Sequence, residues 1–202
     1  MISKNRSIAK NAALPALFLF CLVSASSCKT QPHLDLHQSE TLTMTLRELP
    51  SGYPALAPFH YAHVIDPRDT FVLLESLTYE RGSGVPLVHG QRHQVFTRNQ
   101  AESLAPELSK ALNLALPHEV AAFSVSDAEY PRHYTKGLAF VHGDELYLII
   151  EELPRARYGD MEHHDPQQVP RWALLPRDGQ RHYTSFQGST GTIPNWIIIP
   201  IP

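Results

Sequence analysis

Strict alternation from Thr41 to Leu46 sets Leu42, Met44 and Leu46 on one side of the chain and Thr41, Thr43 and Thr45 on the other. That period of two predicts a half-buried strand. Pro50, Pro54 and Pro58 then mark an irregular connection. At Asp66-Pro67 the pattern predicts a helix start, because the Asp66 carboxylate can cap the first amides and proline suits the first helical position. Phe71, Leu74 and Leu77 form its apolar stripe, and the extended piece behind it ends in Gly82-Ser83-Gly84. Thr97-Arg98-Asn99-Gln100 reads as a capping box, in which hydroxyl and amide satisfy helix-end donors reciprocally. Ala101, Leu104, Leu108, Ala111, Leu112 and Ala115 follow at helical spacing, with Pro106 predicted to kink or split the helix and Leu116-Pro117 to end it.

Beyond that point the pattern is that of strands. Val120–Val125 is a short apolar run, and Gly137–Val141 and Glu145–Glu151 are joined by the hairpin-like His142-Gly143-Asp144. Leu146, Leu148 and Ile150 share one face of the latter, yet Ile149 on the other is apolar too, which predicts a central strand covered on both sides. A long polar loop spans residues 152–170. Strands are expected at Arg171–Leu175, near His182-Tyr183 and at Trp196–Ile199, the last an edge or a strand end because of Pro200 and Pro202. The fold class is therefore α+β, a mainly antiparallel sheet packed against two or so helices.

The start of the chain follows a different rule. Lys4, Arg6 and Lys10 precede an almost continuous apolar run from Ala12 to Val23, the charged and apolar regions of an export signal. A run of that length reaches only ~18 Å as a helix, too short for a ~30 Å hydrocarbon core. Ser24-Ala25-Ser26-Ser27-Cys28 follows and resembles the lipobox of bacterial lipoproteins, with Ala25 where that family usually has leucine. The resemblance implies cleavage before Cys28, diacylglycerol on its sulfur and acylation of the new amine. A second acyl chain converts marginal membrane binding into stable attachment. Lys29 stands where an inner-membrane protein of this kind usually has aspartate, which implies the outer membrane, facing the periplasm. The general layout also resembles that of uncharacterised envelope lipoproteins. Small residues suit the ordinary signal peptidase as well, and cleavage after Ala25 or Ser27 would release a soluble periplasmic protein.

The organisation expected is a signal peptide over 1–27, a lipidated tether over 28–40 and a single α+β domain over 41–202. Of the two cysteines, Cys21 lies in the discarded segment, so the mature chain keeps one and forms no internal disulfide, although it enters a disulfide-permissive compartment. A thioether at Cys28 removes an otherwise reactive thiol. The whole chain carries a formal charge of −3, and losing three cations with the signal makes the mature domain more acidic. This argues against nucleic-acid binding and against electrostatic attraction to anionic lipid. The expected partners are membrane lipid, through the anchor, and an envelope protein.

Twelve histidines invite a search for metal sites. The sharpest cluster is Met161-Glu162-His163-His164-Asp165, where His163, His164 and Asp165 offer imidazole and carboxylate ligands for copper, zinc or nickel. Adjacent histidines on extended chain point opposite ways, which favours a solvated loop. His89 and His93, and His60 and His63, lack the glutamate of an HExxH zinc enzyme. There is no GxSxG elbow, and Gln187–Gly191 lacks the lysine of a phosphate-binding loop. Asp127, Glu129, Asp144, Glu145, Glu151 and Glu152 remain as carboxylates at strand ends. The reading is a non-enzymatic binding or assembly component with no cofactor beyond covalent lipid, the alternative being a periplasmic metal-binding protein that uses the loop histidines.

Overall fold

The alternating segment is strand β2 (Leu42–Glu48), and β1 (Leu34–Gln38) lies antiparallel beside it. The computed structural model describes residues 33–54, 56, 58–59, 64–81, 90–154, 172–185 and 191–201, all within the compact unit Gln31–Pro202. Helix α1 (Pro67–Ser76) begins at the expected cap, where Asp66 accepts the Arg68 amide at 2.7 Å. Strands β3 (Thr78–Arg81) and β4 (Arg92–Gln94) follow, and then α2 (Arg98–Leu114), opened by the full capping box of Thr97 and Gln100. The rest is β5 (Glu119–Asp127), β6 (Tyr130–His142), β7 (Glu145–Glu152), β8 (Trp172–Leu174), β9 (Arg181–Ser185) and β10 (Gly191–Pro200).

Seven strands form one sheet in the order β1-β2-β5-β6-β7-β10-β9, and β4-β3-β8 form a smaller one. Every pairing is antiparallel. With two helices on one face, the described domain is α+β.

Burial explains why β5, β6, β7 and β10 lack clean alternation. Leu42, Met44, Leu46, Phe123, Val125, Leu148, Ile150 and Ile197 point to the helices, where Leu104, Leu108 and Leu112 of α2 complete the core. Val120, Leu138, Phe140, Tyr147, Ile149, Trp196 and Ile198 point the other way and are buried beneath the chain that leaves β2, through Leu49, Tyr53, Leu56 and Phe59. The proline-rich connection is thus a cover for the second face, which is why Ile149 is apolar. At Gly137 the crossing is tight: any Cβ there would collide with the Ile149 carbonyl and the Phe123 ring.

One expectation changes and two are narrowed. Residues 34–38 belong to the sheet and not to the tether of residues 28–40; β1 looked polar because it is an edge strand whose alternation is broken by a bulge between Asp35 and His37. Pro106 does not split α2, which continues to Leu114 with the ring on its exposed side. Strand β10 ends at Pro200, one of the two expected outcomes, and is not an edge: it lies between β7 and β9 and carries Pro194 where its register with β9 shifts, between Ile193 and Ile197. A bulge relieves proline of the ladder donor it lacks.

Candidate functional site

Two regions of the described residues, one open and one buried, combine polar and apolar groups. The first is an open depression of about 570 Å³ on the helix side. Asp69, Val72, Leu73 and Ser76 of α1 form one wall, Arg177, Asp178 and Gln180 of the β8–β9 connection the other, and Ile199 of β10 adds apolar surface. Val72 is 62% exposed, so the groove carries one exposed apolar side chain bordered by charges of both signs. Four consecutive apolar residues, Phe71 to Leu74, cannot all face the core of one helix, and Val72 is the one turned out. The Ser76 hydroxyl donates to the Leu73 carbonyl at 2.7 Å, which ties it to its own helix. The groove is open to solvent and mixed in character.

The second region is the aromatic cluster of the opposite sheet face, buried beneath the chain that leaves β2. Tyr183 stacks on Trp196 at 4.1 Å, Tyr53 meets the same indole edge-on at 5.9 Å, and Phe140 stacks on Tyr147 at 5.1 Å. The Tyr53 hydroxyl donates to Glu151 Oε1 at 3.0 Å. Burial, then the adjoining Glu151 carboxylate, pushes that phenol well above its usual range, so it stays a neutral donor. At the sheet end Arg181 grips both oxygens of Glu145, at 2.6 and 2.9 Å, and those hydrogen bonds hold the Glu145 carboxyl below its ordinary range. Burial raises the neighbouring Tyr147 phenol.

The carboxylates singled out in the sequence are dispersed. Asp127 accepts from Thr97 Oγ1 at 3.1 Å, Glu145 pairs with Arg181, Glu151 receives Tyr53 and Glu152 lies 3.3 Å from Lys136 Nζ. Each has its own partner. His93 sits on β4 with its ring 5.4 Å from that of Tyr79. Cys28, His163, His164 and Asp165 lie outside the described residues, as do His60, His63, His89 and residues 187–190. Among the described residues, no group of three or more histidine, cysteine or acidic side chains is placed to hold a metal ion. No helix of the described residues is long and apolar enough to cross a membrane.

Neither region is legible in the sequence, because each joins residues far apart in the chain. The apolar Val72 beside Leu73 was the available signal for the groove. No family model, curated protein or solved structure matches this chain.

Proposed function

We propose that this chain is an envelope lipoprotein, lipidated at Cys28 and held on the periplasmic side of the outer membrane, whose α+β domain binds or helps assemble another envelope component without catalysing a reaction. The observation that carries the reading is the apolar run Ala12–Val23 closing on Ser24-Ala25-Ser26-Ser27-Cys28. The open groove between α1 and the β8–β9 connection supports the binding role, since the exposed Val72 among charges of both signs suits a protein surface. The separate pairing of Asp127, Glu145, Glu151 and Glu152 supports a structural role for these acids.

Cys28→Ser tests the anchor. The variant is expected to lose incorporation of labelled fatty acid and to move from the membrane to the soluble fraction, with its circular dichroism unchanged. A Cys28→Ser protein that still sediments with membranes sinks the reading.

A further inference from the structure

Six large apolar side chains are prominently exposed among the described residues, and the topology gathers three of them at one end of the large sheet. Leu34, 55% exposed, opens β1 and is in register with Leu46, two residues before β2 ends. Glu48, at that end, faces Glu119, the first residue of β5. Helix α2 stops at Leu114, 49% exposed, and residues 115–118, including Leu116 at 52%, lead directly into Glu119. The connection is held in place: Glu119 Oε2 accepts the Leu116 amide at 2.9 Å and the Pro117 carbonyl accepts the Phe59 amide at 2.6 Å.

Scattered exposed leucines carry no message by themselves. What gives these three a direction is the chain that reaches them. Cys28 is six residues before Leu34, and that length of fully extended chain spans no more than ~20 Å. On the anchor proposed above, the lipid therefore lies within that distance of the β1 start, at the sheet end that also carries Leu114 and Leu116. The opposite end, at the Ala128-Glu129 turn, lies a further ~26 Å along β5 at ~3.3 Å per residue.

We propose that the end of the domain bearing Leu34, Leu114 and Leu116 rests against the bilayer that holds the Cys28 lipid, so that the sheet stands with its Asp127–Tyr130 end away from the membrane. The acyl chains supply the attachment; the leucines, shallowly placed among headgroups, set the orientation. Leucine side chains gain from leaving water even at that depth.

The inference rests on lipidation, and one experiment separates the two. Full-length protein extracted from membranes is reconstituted in phosphatidylcholine vesicles, some containing lipid spin-labelled near the headgroup. An environment-sensitive thiol dye is attached at Leu116→Cys, with His118→Cys as a second reporter of the same connection, and at Ala128→Cys for the far end. Quenching several-fold stronger at 116 and 118 than at 128 is the expected result. Equal quenching at all three positions, or none at 116 and 118 in protein that floats with the vesicles, overturns the orientation and leaves the anchor standing. Uptake of the dye by protein without an introduced cysteine exposes an unlipidated Cys28 thiol, which overturns the anchor and this inference with it.

Discussion

Thr70 and Ser109 illustrate how single side chains hold the helical layer. Their hydroxyls are 2.8 Å apart and both residues are buried, so each is the other's means of leaving water. Thr70→Val keeps the shape and strands the Ser109 hydroxyl, which is expected to cost about 1–3 kcal/mol. Adding Ser109→Ala removes the stranded group, and the double variant should recover much of that loss in chemical denaturation. Equal, additive losses would show that the two hydroxyls do not depend on each other. Trp196 presents the same question on the other sheet face, where it is 1% exposed and its Nε1 has no hydrogen-bond acceptor among the described residues. Its stability comes from stacking and shape: Tyr183, Tyr53, Phe140 and Tyr147 surround the indole.

At the level of elements, the Arg181–Glu145 pair joins β9 to β7 across β10, and its side chains remain 53% and 31% exposed. Solvent screening limits such a pair to less than ~1 kcal/mol. Because Arg181 lowers the folded-state pKa of Glu145, its contribution is full above the ordinary carboxylate range and fades as pH falls through the lowered value. Arg181→Ala should therefore be slightly less stable than the parent at neutral pH and converge with it in acid. Denaturation across pH and an NMR titration of Glu145, whose pKa should rise in the variant, check this; a constant stability gap down to strong acid would refute it. Elements governed by local chemistry were legible in the sequence: Asp66-Pro67 and the Thr97–Gln100 box signal helix starts through contacts within a few residues. Strand β1 was not, because its bulge and edge position remove the alternation that marks a strand. The internal place of β10 was equally hidden, since Pro200 marks where a strand ends and says nothing about what pairs with it.

For the whole molecule, the sequence announced a two-faced sheet through Ile149 and neighbouring strands, but not what covers the second face. The cover is built from Leu49, Tyr53, Leu56 and Phe59, and the prolines around them read as mere irregularity until these side chains are seen against Trp196 and Phe140. The groove was illegible for a related reason: α1, residues 177–180 and Ile199 meet only through the packed fold. The strand order also carries a consequence in time. Strands β5, β6 and β7 form a meander from one uninterrupted stretch, whereas β2 must find β5 after both helices have been laid between them. Local pairings form early because little loop entropy is lost in closing them, and distant ones wait. Leu148→Ala, within the meander, is expected to slow refolding, while Leu42→Ala should chiefly accelerate unfolding, as stopped-flow rates against denaturant would reveal. The reverse pattern would mean that the β2–β5 seam nucleates the sheet; on the order written into this topology, the β1–β2 hairpin nearest the proposed anchor is among the last parts to join the sheet.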